Sequence, residues 1–409
     1  MLRNGLVWLF LAGLATAQIQ LPVGLGLIAR HNVGYMGMAT APVAIDFSAD
    51  GAVLFMGVNG NLVNSAIFAA PVFRDPTNQR IVGFGQGTFT ALAPYLDASI
   101  ETGPNGNRFV SQFPVISFGQ YVGTNFIQHA LPAFVGTTGG LTFVPPGLPN
   151  AGTMLISSFS GNVVYAVGLA PGSGGDLVPT TTTPFATLPV NYLEGMRFIP
   201  SGPYAGDLLV CDFGSSGTIW RVDIDPATGL PFGGAANTVV TPFVGNFFSQ
   251  DGLALDPITG DMFVTDWNDY FITHFTSLDT LDPLVASDDS LSASGQTLVF
   301  NWRCGTGHGY KSYLLAMGAS GSAPGVTVGS LSVPLNPDAI TNLALSLIDS
   351  PPFFGFEFFL SQMGEGASVL ALPPGVLPQS AAGIQLTFAG ILTDNLDFAT
   401  NAVDIVITP

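Results

Sequence analysis

Three acidic residues, Asp97, Glu194 and Asp251, stand at matching places in a pattern that recurs along this 409-residue chain. Each precedes a short apolar run that passes through a turn into a second β-rich run. Carboxylates gathered in one place repel one another unless a hard cation sits among them, and an all-oxygen set suits Ca2+ or Mg2+. If the fold brings the three together, they are expected to form a divalent-metal site. The competing expectation is that these side chains cap turns or accept hydrogen bonds from sheet-edge amides.

Other chemistry finds less support. His31, His129, His274 and His308 are scattered, with no i, i+4 pair and no obvious second ligand beside any of them, so a His-rich zinc site is not expected. The chain has no Gly-x-Ser-x-Gly elbow and no Gly-x-x-x-x-Gly-Lys phosphate loop. No Ser or Cys is nominated as a nucleophile with an acid-oriented His. Asp223 and Asp225 read as turn formers, and Trp267 and the 32 Phe residues as packing between repeats. The Thr180 to Thr183 run reads as a polar, glycosylatable loop.

The elements that must position the acids are short strands. The fullest copy of the pattern is Gly252-Leu-Ala-Leu-Asp256-Pro-Ile-Thr-Gly260-Asp-Met-Phe-Val-Thr-Asp266-Trp267, which reads strand, tight turn, strand. Related copies begin at Val43, Ala98, Gly140 and Gly195, at roughly 50-residue spacing, a period that signals propellers or solenoid arrays. Gly (51) and Pro (31) are abundant, and no mature segment sustains a helical apolar period over three turns. The expected fold is all-β: a propeller of five or six blades, with the stretch from Leu25 to Arg30 closing the ring beside the last copy. A stacked β-sandwich array is the alternative.

Composition sets the surroundings. Residues 1–17 read as a signal peptide, with an apolar run from Gly5 to Leu14 and small residues before Gln18. The remainder divides into a propeller over 18–280, an acidic linker over 281–292 and an antiparallel β-sandwich over 293–409. Within that sandwich the runs 343–348 and 354–360 are expected to be strands. No later segment is apolar enough to span a membrane, so a secreted or cell-surface protein is expected. Charged residues are only 9%, and the net charge of −18 with nine Lys plus Arg excludes a phosphate-tracking nucleic-acid surface. Cys211 and Cys304 suit an exported protein that does not depend on disulfides, either bridged or as buried free thiols.

Residues 40–277 resemble NHL-type and gluconolactonase-like propellers of secreted bacterial proteins. The resemblance rests on Gly140-Leu-Thr-Phe-Val-Pro145, Glu194-Gly195, and Asp251-Gly252 through Asp256-Pro-Ile-Thr-Gly260. It implies a divalent metal held by Glu194 and Asp251, with Asn191 as a further ligand, and lactone hydrolysis. The chain departs from that pattern at Ala41-Pro42, where the first blade would carry a Glu. The segment Tyr313-Leu-Leu-Ala-Met-Gly-Ala-Ser-Gly-Ser-Ala-Pro-Gly325, with Leu372-Pro-Pro-Gly375 and Phe398-Ala-Thr-Asn-Ala-Val403, resembles a C-terminal module of exported planctomycete-type bacterial proteins. That resemblance implies an accessory or display role.

Two functions follow as expectations. The first is an exported, non-enzymatic binding or cell-surface interaction protein, whose partner is an extracellular protein, glycan or small molecule. The second is a divalent-metal-dependent, lactonase-like hydrolase acting at the channel mouth through Asp97, Glu194 and Asp251.

Overall fold

In a computed structural model of the protein, the residues described are 25, 27–33, 41–214, 217–245, 249–267, 270–278, 282–305, 308–329, 331–361, 364–394 and 396–409. The expected signal peptide lies outside the described residues.

Inner strands are needed to line a channel, and five of them do so: Pro42–Phe47, Leu96–Thr102, Thr138–Phe143, Leu193–Phe198 and Gln250–Leu255. Each touches the next and the fifth touches the first, so they close a ring. From each, antiparallel hairpins run outward to complete a sheet of four or five strands. The chain is a β-propeller with five such sheets, or blades, among its described residues. The fifth blade takes its outermost strand, Leu27–Asn32, from the other end of the ring, where it pairs with Phe271–Ser277. That closure matches the expectation for this stretch.

Hydrophobic residues explain why the blades stack. Each junction between neighbouring blades has its own buried cluster, such as Phe109, Leu141 and Met154 between the second and third. The first and fifth meet through Ile45, Leu54, Phe263 and Ile272. Each fully buried side chain of this size contributes about 1.5–3 kcal/mol, so the ring is held by packing all the way around. Polar ties add to closure: Arg74 Nη2 lies 2.7 Å from Asp256 Oδ1, joining the first blade to the turn of the fifth. His31 Nε2 lies 3.1 Å from His274 Nδ1, and His274 Nε2 lies 3.0 Å from Asp261 Oδ2. These histidines therefore do acquire partners: His31 and His274 are 243 residues apart and meet at the seam, and Asp261 lies 13 residues before His274. Burial and the neighbouring His274 push His31 down to about 4.

Several local expectations need correction. Asp225 does form an Asx turn, accepting from the Ala227 amide at 2.9 Å. Asp223 instead is buried beside Arg221, 2.8 Å from its Nη2. Thr180 to Thr183 belong to the strand Leu177–Thr187, the outer edge of the third blade, where β-branched residues fit a half-exposed pleat.

Beyond the ring, two sheets and a small hairpin form the C-terminal sandwich. Its core holds Phe300, Trp302, Tyr313, Phe356 and Phe388. The stretch expected to be a linker contributes two short strands, Leu284–Ala286 and Ser290–Ser292, one to each sheet. Ser290–Ser292 runs parallel to Val403–Thr408, which departs from a purely antiparallel sandwich. The run expected as a strand at 343–348 lies mostly in a helix, Ala339–Ser346, because Asp338 and Thr341 form a reciprocal capping box. The run 354–360 breaks into Phe353–Phe354 and Glu357–Phe359, in different sheets. Cys211 and Cys304 are both buried free thiols. The sandwich meets the fourth blade at Arg221, whose Nη2 lies 3.3 Å from Glu365 Oε1. No helix among the described residues is long and apolar enough to cross a membrane.

Candidate metal centre at the channel mouth

The inner strands share a defect at their first residues. In the third, fourth and fifth blades two residues oppose one on the second strand: Gly139-Gly140 against Ser157, Glu194-Gly195 against Cys211, and Asp251-Gly252 against Thr265. In the second blade Asp97, Ala98 and Ser99 oppose Ser111. Such bulges re-aim side chains and leave amides without a ladder partner. Hydroxyls on the second strand take up those amides. Ser157 Oγ accepts from Gly140 N–H at 2.7 Å, Thr265 Oγ1 from Gly252 N–H at 2.7 Å, and Ser111 Oγ from Ser99 N–H at 3.0 Å. The acids are therefore the second residues of the strands, one step further in than the sequence suggests.

The bulges bring Asp97, Glu194 and Asp251 together. One carboxylate oxygen from each lies within 4.8 Å of the others, and the residues are only 2%, 3% and 1% exposed. Asp97 Oδ2, Glu194 Oε2 and both oxygens of Asp251 are buried without a hydrogen-bond partner. For these atoms the turn-capping and amide-accepting alternative does not hold. Burial pushes all three carboxyls well above the usual carboxylate range. Asp97 and Asp251 add to the rise at Glu194, while Asp97 and Asp266 add to that at Asp251. An unpaired buried polar atom costs about 1–3 kcal/mol and more when charged, so the arrangement needs either protons or a cation. The donor set is all carboxylate oxygen, which fits Ca2+ or Mg2+ and not a soft metal.

One residue tied to the site by resemblance falls elsewhere, and the first blade supplies no ligand. Asn191 is exposed, outside the buried group. The first blade places Val43 in its bulge, between the paired Pro42 and Ala44, so it supplies no acid.

Deeper in the channel the inner strands carry a second polar layer. Arg197 Nη2 lies 2.9 Å from Asp46 Oδ1, and its Nη1 contacts Glu101 Oε2. Thr142 Oγ1 donates to Glu101 Oε1 at 3.2 Å. Burial, offset by Arg197, brings Glu101 up to about 7. These contacts link inner strands of four blades.

Sequence reasoning missed an arc of aromatics at the mouth. The residues directly after the second strands are Phe113, Phe159, Phe213 and Trp267. Ring centroids are 4.8 Å apart for Phe113 and Phe159, 5.8 Å for Phe159 and Phe213, and 6.5 Å for Phe213 and Trp267. Each backbone N–H donates to the carbonyl just before the inner strands: Tyr95, Thr137, Tyr192 and Ser249, at 2.9, 2.7, 2.9 and 3.0 Å. The signal was a polar–aromatic pair closing the second strand of the second to fifth blades, namely Gln112-Phe113, Ser158-Phe159, Asp212-Phe213 and Asp266-Trp267. In the first blade Asn59 takes that place, and a cleft of about 240 Å3 opens there among Val43, Asn59, Leu62 and Trp267. Asn268 and Asp269, which follow Trp267, lie outside the described residues.

Cys211 occupies the hydroxyl position of the fourth blade. Burial, with Asp251, Glu194 and Asp212 nearby, pushes its thiol well up and keeps it protonated.

No family model matches the chain, and no curated protein matches it significantly. Among solved structures, an auxiliary nutrient-binding protein from Bacteroides thetaiotaomicron is similar at 13% identity and a TM-score of 0.35. That similarity covers 56% of this chain and 58% of the other, so only part of the other protein's length is spanned. A putative gluconolactonase is similar at 10% identity and a TM-score of 0.34, over 63% of this chain and 93% of that one. The PQQ domain of a pyranose dehydrogenase from Coprinopsis cinerea gives 10% identity and a TM-score of 0.39, over 63% and 97%.

Proposed function

We propose that the chain is an exported β-propeller binding protein that holds a divalent cation, Ca2+ in the first instance, between Asp97, Glu194 and Asp251. The observation that carries this reading is the set of four buried carboxylate oxygens with no hydrogen-bond partner. A cation answers both their desolvation and their mutual repulsion. Three carboxylates around a 2+ ion leave a net negative site, so a neutral ligand is favoured over an anion. A ligand oxygen completes the coordination, and its apolar face rests on the arc from Phe113 to Trp267. A glycan or a small neutral molecule of the extracellular medium meets both demands. The sandwich, tied to the fourth blade through Arg221 and Glu365, serves as a display or attachment part.

The second reading, a metal-dependent lactonase-like hydrolase, draws on Asp212 and Asp266. These acids end two second strands beside the triad, and Asp266 acts electrostatically on Asp251. A carboxylate outside the cation's ligands is what proton transfer from an attacking water would need.

Metal analysis of protein purified without chelator, with a glycan array probed in Ca2+ and in EDTA, tests the first reading. It expects bound divalent metal and array signals lost in EDTA. A metal-free protein, or signals indifferent to EDTA, would sink it. Metal-dependent turnover of a lactone panel would transfer the case to the hydrolase. Recovery of the protein in the cytoplasmic fraction, with its N-terminus uncleaved, would overturn export.

A further inference from the structure

A second concavity lies away from the channel mouth, on the outer side of the first two blades. It encloses about 590 Å3, and its walls include Ile67, Phe89, Leu92, Tyr121 and Phe126, with Arg108 among them. Arg108 belongs to the strand Arg108–Gln112. Its guanidinium sits 3.6 Å from the centre of the Phe55 ring, while its Nε is buried without a hydrogen-bond partner. Arg74, Arg80, Arg197, Arg221 and Lys311 are each paired with a carboxylate. Arg108 has no such pair among the described residues. Asp46 is the carboxylate that acts on it electrostatically, and Asp46 is already engaged by Arg197.

A cation set in a groove of mixed polar and apolar lining, in a chain with net charge −18, calls for an anion of limited charge. One guanidinium can neutralise one negative charge, and its two Nη groups match a carboxylate in end-on, two-point geometry. A phosphate dianion would bring more charge than a single Arg offsets. Phe89 and Leu92 are 58% and 57% exposed, leaving apolar surface for the rest of the ligand. The geometry points to a second binding site, independent of the cation centre, in which Arg108 holds the carboxylate of a small amphipathic monocarboxylic acid and Phe89, Leu92 and Phe126 cover its apolar body.

Calorimetric titration with 4-phenylbutyrate, and with its uncharged amide as control, tests this site. Saturable binding of the acid is expected, with the amide weaker by at least about tenfold. Arg108→Gln should lose the binding, and so should Thr124→Glu, which puts a negative charge on the exposed turn at the groove edge without touching the core. EDTA should leave the titration unchanged, which separates this site from the channel mouth. Equal affinity for acid and amide, binding retained in the Thr124→Glu protein, or no binding of 4-phenylbutyrate at millimolar concentration would each overturn the assignment.

Discussion

At the scale of single residues, the site is a set of groups held where they are least comfortable. Burial raises Asp97, Glu194 and Asp251, with Asp97 adding to the rise at the other two, and elsewhere in the ring Asp223, Glu101 and Asp207 are raised to about 6, 7 and 8. A carboxyl whose folded pKa lies above its unfolded value of about 4 keeps its proton longer in the native state. Its contribution to stability is present below that value and is lost as pH rises through the folded one. The thermal midpoint of chelator-treated protein should therefore fall between pH 5 and 8. Saturating Ca2+ should flatten the part due to the triad, as should Asp251→Asn, which removes one of the charges. A midpoint that climbs over this range in the metal-free protein would contradict the account. The three acids were legible in the sequence because their positions repeat. Asp223 was misread because a partner such as Arg221 makes an acid ionic, and partners do not show in local wording.

At the scale of elements, the bulged starts of the inner strands decide the site. They work because small residues let neighbouring inner strands approach: a Cβ on Gly139 would lie 2.0 Å from Leu193 O, and one on Gly195 would lie 2.4 Å from Asp251 O. Gly139→Ala should destabilise the protein by roughly 2–4 kcal/mol, since backbone cannot yield to that contact. Gly83→Ala, where a Cβ meets nothing within 4 Å, should stay within about 0.5 kcal/mol of wild type. Denaturant melts of the two variants check this, and equal midpoints would show that the approach is not needed. The strand grammar of the blades was readable from turn residues and apolar runs. The bulges were not, because register comes from pairing, and neither was the arc of Phe113, Phe159 and Phe213, because Phe in a β-protein ordinarily reads as core.

At the scale of the whole molecule, one strand borrowed from the start of the ring completes its end. Deleting residues through Asn32 should leave Phe271–Ser277 as an unpaired edge and open the junction of the first and fifth blades. The expected outcome is a broadened or earlier calorimetric transition with oligomers in size-exclusion chromatography. A truncated chain that melts like the full one, as a monomer, would show that closure does not depend on this strand. The change of strand pattern after the last repeat was legible, since the propeller sheets end at Ser277 and the strands from Leu284 onward belong to other sheets. The short strands within 281–292 escaped notice because three-residue strands in acidic, polar wording carry no periodicity.

A cation held by the buried acids is what the proposed function requires. Isothermal titration of chelator-treated protein with Ca2+, beside Glu194→Gln, tests that most directly. It predicts one saturable site per chain in the wild type, weakened by at least about tenfold when Glu194 loses its charge. No saturable binding of Ca2+ or Mg2+ by the wild type, or equal affinity in the variant, would contradict it.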